Sequence, residues 1–125
     1  MRANTLLALG RLKPGQMNKT ETAYRDHLRA LKAAGEVLDF RFEAITLKLA
    51  QDLRYTPDFF VLKPDGSIEF HEVKGSRAIF RDDAKAKCKM CAQLHQWATL
   101  IVVYPRRKKD GGGWEYETFE PSNLW

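Results

Sequence analysis

Asp58, Glu72 and Lys74 are the residues whose types and spacing could do chemistry, because the turn between them dictates where they meet. Residues 56–75 read TPDFFVLKPDGSIEFHEVKG, and Pro64-Asp65-Gly66 has the composition of a three-residue hairpin loop. Proline presets φ at the first corner, aspartate tolerates the second, and glycine takes the left-handed position. With Lys63 facing Ser67, counting outward pairs Leu62 with Ile68, Phe60 with Phe70 and Asp58 with Glu72, all on one side because side chains alternate with period two. Directly opposed residues have Cβ atoms roughly 4.5–5.5 Å apart, so two carboxylates there repel unless a cation neutralises them. Lys74 lies two residues beyond Glu72 and points to the same face.

Hard carboxylate oxygens suit Mg²⁺ or Mn²⁺, ions that keep several waters and complete their shell with substrate phosphate. A lysine beside such an ion orients the attacking water or offsets charge growing on the phosphorane. The competing reading is a surface hairpin with ordinary charges. It conflicts with Phe60, Leu62, Ile68 and Phe70 on the same face, which calls for burial.

Pro57-Asp58, a short hairpin and then Glu72-Val73-Lys74 together resemble the PD-(D/E)XK nuclease superfamily. The resemblance covers the hairpin strictly and the order of surrounding elements loosely; small phage nucleases and junction resolvases are nearest in size and layout. It implies a restriction-endonuclease-like core and Mg²⁺- or Mn²⁺-dependent hydrolysis of DNA phosphodiester bonds, with Asp58 and Glu72 as metal ligands and Lys74 as the catalytic cation. Many members carry an acidic residue on the first helix near the site, and Glu21 is the position here that resembles it. By the same analogy the substrate is branched or junction DNA, with flapped or single-stranded DNA next, and junction cleavage implies a homodimer. RNA stays open as a substrate. The rival from another class is a catalytically silent nucleic-acid-binding module or partner subunit, which would have no reason to keep two carboxylates opposed.

The elements that must position these residues follow from pattern. Asn18-Lys19-Thr20-Glu21 has capping-box spacing, and a helix is predicted from there to Gly35 with Tyr24, Leu28 and Leu31 on one face. Glu21 thus has two readings, a capping residue alone or a contributor to the metal site. Leu38, Phe40 and Phe42 alternate as a strand, Ile45, Leu47 and Leu49 continue it after a bend near Ala44, and Leu53-Arg54-Tyr55 completes a three-strand meander leading into the hairpin. His71, across from Phe59, turns to the opposite face and is not expected to be a ligand.

A second helix is predicted from Arg77 to Ala98, with Ala84, Cys88, Cys91, Leu94, His95 and Ala98 as its buried arc, widened by Met90 and Trp97. Lys87 falls inside that arc. It either snorkels to the margin or reaches the site, where Glu72, Glu21 or the scissile phosphate would receive it. Cys88, Cys91 and His95 do not make a structural zinc site, which needs four ligands and usually a second pair. Leu100-Ile101-Val102-Val103-Tyr104 reads as a strand covered on both faces, so strand, helix and strand form a right-handed parallel βαβ unit. The fold expected is α/β, a mixed central sheet flanked by helices. Trp114 to Phe119 alternates like an edge strand.

At 125 residues the chain suits one domain, residues 18–125, behind a basic and flexible arm, residues 1–17. Net charge is +5, and it is clustered: residues 1–20 hold four basic and no acidic residues, and residues 75–110 nine basic against three acidic. Such clustering suits a polyanion, with salt-sensitive phosphate contacts. The candidate contacts are Arg106, Arg107, Lys108 and Lys109, in a basic loop ahead of three glycines, with Arg77 and Lys85. The other reading of that loop is a solvated turn that blunts a sheet edge. The sequence carries neither a signal-peptide pattern nor a run long enough to span a membrane, and only two cysteines, so a cytoplasmic protein without membrane partners is expected.

Overall fold

The computed structural model describes residues 15–121. Helix α1 (Lys19–Ala33) begins at the expected capping box: the Asn18 side chain accepts from the Glu21 N–H at 2.8 Å while the Glu21 carboxylate accepts from the Asn18 N–H at 2.9 Å. It ends before Gly35, whose φ of +80° only glycine adopts without strain.

Five strands, β1 (Asp39–Phe42), β4 (Phe59–Leu62), β5 (Ile68–Val73), β6 (Thr99–Pro105) and β7 (Trp114–Phe119), form one mixed sheet in the order β1-β4-β5-β6-β7. Two further strands, β2 (Leu47–Ala50) and β3 (Leu53–Tyr55), pair as a separate antiparallel ribbon. The protein is therefore α/β with a mixed sheet.

The β4–β5 hairpin has the register its turn dictates. Phe59 faces His71, Phe60 faces Phe70 and Leu62 faces Ile68, with the Lys63 N–H donating to the Ser67 carbonyl at 2.9 Å. Gly66 takes φ +88°, and the Asp65 carboxylate accepts from both the N–H and the hydroxyl of Ser67 at 2.9 and 2.6 Å. β5 and β6 are parallel and joined by helix α2 (Asp82–Leu94), the expected βαβ unit, and β7 closes the far edge antiparallel to β6.

Two expectations need correction. The meander does not form: β1 pairs directly with β4, because Glu43 adopts φ +47° and donates its N–H to the Asp58 carbonyl at 2.8 Å, which turns the chain out of the sheet. The β2–β3 ribbon then packs Leu47, Leu49 and Tyr55 over the core. The second helix is shorter than residues 77–98. Phe80 is buried between a 3₁₀ turn (Arg77–Ile79) and α2, and the extended backbone at Arg81 (ψ 164°) separates the two. Within α2, Cys88, Cys91 and Ala92 are the buried positions, while Leu94, at the helix end, and Trp97, beyond it, are each 54% exposed. Residues 1–14 of the expected arm lie outside the described residues; of its last three, Met17 packs on the core and the Gly15 N–H donates to the Glu43 carboxylate at 2.8 Å.

The sheet separates two cores. On the α1 face lie Tyr24, Leu28, Phe59, Val61, Val73 and Val103; on the α2 face lie Phe70, Cys88, Cys91, Leu100, Val102 and Tyr104. β6 is thus covered on both sides, as its apolar run requires. Among the described residues no helix is long and apolar enough to cross a membrane.

Candidate active site

Four segments converge at one end of the β4–β5 hairpin. Asp58 immediately precedes β4, one step beyond the Phe59–His71 pair, and Glu72 and Val73 close β5. Lys74 follows, held in line as its N–H donates to the Val103 carbonyl at 2.9 Å. The first turn of α1 brings Glu21.

Buried Glu72 is the hub. Its Oε1 accepts from the Tyr55 hydroxyl at 2.7 Å and, more weakly, from the Asp58 N–H at 3.4 Å, while its Oε2 pairs with the Lys74 ammonium at 3.3 Å. The Asp58 Oδ2 accepts from the Val73 N–H at 2.8 Å. Glu21 meets the Asp58 carboxyl by charge and by side-chain hydrogen bonding, although its Oε1 also serves the Asn18 cap. The two readings of Glu21 are therefore compatible, since one carboxylate has an oxygen for each task.

The electrostatics follow from this crowding. Burial, then Glu72, then Glu21 push the Asp58 carboxyl well above its ordinary range, against the pull of the Val73 N–H. Burial also raises the Glu72 carboxyl, although Lys74 and the Tyr55 hydroxyl oppose the rise. Tyr55, shielded from water and next to Glu72, is raised as well and stays a hydrogen-bond donor. Three carboxylates against one ammonium leave an excess of negative charge in a partly desolvated pocket, and hard oxygen donors of this kind fit Mg²⁺ or Mn²⁺. Among the described residues no three histidine, cysteine, aspartate or glutamate side chains form a ready cage. Mg²⁺ commonly relies on one or two carboxylates plus water and phosphate rather than on such a cage.

No family model, curated protein or solved structure matches this chain.

Beside Lys74, at the carboxyl ends of the parallel strands β5 and β6, opens a cleft of about 420 Å³ lined by Gly75, Ser76, Arg77, Tyr104, Arg106 and Arg107 among others. Crevices at the carboxyl ends of parallel strands are where open α/β sheets take ligands. The basic candidates here are partly committed to internal partners. Arg77 stacks over the Tyr104 ring at 4.4 Å and pairs with Glu115 and Glu117 at 3.4 and 3.3 Å. Arg106 donates to the Asp110 carbonyl, and Arg107 pairs with the Asp110 carboxylate at 3.0 Å across a 3₁₀ turn (Lys108–Asp110). Lys108 and Lys109 are exposed on that turn.

Lys87 is partly exposed and makes no hydrogen bond or ion pair with the described residues, so nothing ties it to Glu72 or Glu21. The covered arc of α2 centres on Cys88, Cys91 and Ala92, which leaves Lys87 at its margin. Lys85 is the helix cation nearer the site: its ammonium lies 5.7 Å from the Phe80 ring centroid, and that of Lys74 lies 5.8 Å from the same ring. Cys88 and Cys91 are free, buried thiols, and the His95 Nε2 meets the Lys48 carbonyl at 2.8 Å.

Sequence reasoning missed Tyr55. It belongs to the ribbon that was expected inside the meander, and its only local signal is a polar-tipped aromatic just ahead of Pro57-Asp58.

Proposed function

We propose that this protein is a metal-dependent deoxyribonuclease with a restriction-endonuclease-like core, acting on structured DNA such as junctions, flaps or single strands. The observation that carries the reading is the crowding of Asp58 by Glu72 and Glu21 at one end of the hairpin, with Lys74 paired to Glu72. A purely structural site would be better served by replacing a carboxylate, because like charges crowded in a desolvated pocket cost stability without return.

In this reading Asp58 and Glu72 hold the cation, and Glu21 adds a third carboxylate. When bound, a divalent ion supplies Lewis acidity toward water and neutralises substrate phosphate. The Tyr55 hydroxyl and the Asp58 N–H fix one oxygen of Glu72, leaving Oε2 turned toward Lys74. Lys74 then stands where it can orient a water or stabilise charge developing on the phosphate. The adjacent cleft, with Arg77, Arg106 and Arg107 along it, accommodates the flanking strand. Lys85, Lys108 and Lys109 add phosphate contacts at the rim.

The test is a panel of labelled four-way junction, flap, duplex, single-stranded DNA and RNA, each incubated with and without Mg²⁺ or Mn²⁺. Metal-dependent cleavage of any DNA member, absent in Asp58→Asn, is the expected outcome. Binding without turnover across the panel would instead favour a silent nucleic-acid-binding module.

A further inference from the structure

The far side of β5 carries a buried polar group for which the catalytic reading has no use. The His71 side chain is 6% exposed, and both its ring nitrogens are engaged: Nε2 lies 2.8 Å from the Glu69 carboxylate and Nδ1 lies 2.6 Å from the Tyr24 hydroxyl. A carboxylate oxygen only accepts, so Nε2 carries a proton, and in the neutral ring Nδ1 accepts from Tyr24. Tyr24 is fully buried, edge-on to Phe59 and Trp114 at 5.7 and 4.9 Å. The set looks like a nucleophile, base and orienting acid, yet a phenol with no exposed surface cannot meet substrate. Its role must be sought in what it connects.

Two members of this relay, Tyr24 and His71, border the candidate active site. Tyr24 follows Glu21 by three residues, close to one helical turn, and so lies on the same face of α1. His71 immediately precedes Glu72 on β5 and points the opposite way. The contact is a buried one among the polar links from α1 to the sheet; others, His27 Nε2 to the Tyr116 hydroxyl at 3.0 Å and Lys32 to Asp39 at 3.2 Å, lie in more exposed positions, and the packing around Tyr24 is otherwise apolar. Apolar packing tolerates sliding; a directional bond at 2.6 Å does not.

We infer that the Tyr24–His71–Glu69 relay is a positioning device that pins the first turns of α1 to β5 and so holds the Glu21 carboxylate against Asp58. This rests on the metal-site reading above, which names what Glu21 is positioned for. Burial keeps the Tyr24 proton in place, pushing its pKa far above the ordinary range. Tyr24 is thereby a permanent donor, as a pin requires.

A double-mutant cycle tests the idea, with Mn²⁺ affinity measured calorimetrically on the whole protein. Tyr24→Phe keeps the ring and removes only the hydroxyl. Glu21→Gln retains the capping box, which accepts either residue, and removes only the charge. Tyr24→Phe should weaken Mn²⁺ binding about 10-fold, in the range seen for groups that orient metal ligands. In the Glu21→Gln background the same change should cost less than about twofold, because the effect travels through Glu21. Equal losses in both backgrounds, or no loss in either, overturn the inference. Amide hydrogen exchange on metal-free protein separates this from failure of the metal-site reading. If wild type binds no Mn²⁺, that reading falls, and the pin is still judged: faster exchange confined to the first turns of α1 in Tyr24→Phe supports it, and unchanged exchange defeats it.

Discussion

Replacing Asp58 with asparagine should stabilise the metal-free protein at neutral pH even as it removes turnover. The Asp58 carboxyl is partly buried and faces both Glu72 and Glu21, and all three circumstances raise its pKa. At ~5 Å and an effective dielectric constant of about 20, one like-charge pair costs roughly 3 kcal/mol if both groups stay ionised. Proton uptake caps that cost. Asparagine keeps an acceptor for the Val73 N–H and gains amide donors toward the neighbouring carboxylates. A net gain of about 1–2 kcal/mol follows, as is common when a functional residue is traded for stability, and it amounts to a Tm rise of roughly 4–8 °C for a chain of this size. The pH dependence has a definite sign. With its folded pKa above the ordinary 3.8, Asp58 takes up protons on folding, so wild-type stability falls as pH rises from 3.8 through the folded value. The advantage of Asp58→Asn should therefore be larger at pH 7.5 than at pH 4, and vanish below about pH 4. Thermal melts in EDTA at both pH values measure it, and melts with excess Mn²⁺ should narrow or reverse the gap. An Asp58→Asn protein no more stable than wild type at pH 7.5 without metal would falsify the reasoning.

Four other outcomes are expected. Tyr55→Phe removes the 2.7 Å hydrogen bond to buried Glu72 and should cost about 1–3 kcal/mol in denaturant titration; a neutral result would mean that Glu72 finds another donor. Lys74→Met keeps the aliphatic stem and should melt within a few degrees of wild type while cleavage is lost, so collapse of fold and activity together would leave the catalytic role unsupported. Replacing Lys108 and Lys109 with alanine should weaken binding to all DNA substrates alike and lower the log–log salt slope by about 1–2; an unaltered slope places the binding surface elsewhere. Burial pushes the Cys88 thiol up to about 12 and the Cys91 thiol up to about 11, so a thiol reagent at pH 8 should label the native protein far more slowly than the unfolded chain.

The features legible in the sequence were those set by local chemistry. Pro64-Asp65-Gly66 allows one loop, the loop sets the register, and the register puts Asp58 beside Glu72; none of these steps needs a distant residue. Asn18 and Glu21 cap a helix by the same local logic, and an unbroken, β-branched apolar run from Leu100 to Val103 reads as a covered strand. Long-range competition decided the rest. The Glu43 N–H goes to the Asp58 carbonyl, which ejects β2 and β3 from the sheet and carries Tyr55 onto Glu72, a partner 17 residues away. Burial of Phe80 delays α2, and packing through Cys88, Cys91 and Ala92 decides which face of it is covered, leaving Lys87 at the margin and Lys85 over the Phe80 ring. Arg77 and Arg106, read as free cations along the chain, find Glu115 and Glu117 only once β7 lies beside β6. Periodicity assigns a face to each side chain, but the partner waiting on that face belongs to another element, and only tertiary packing chooses it.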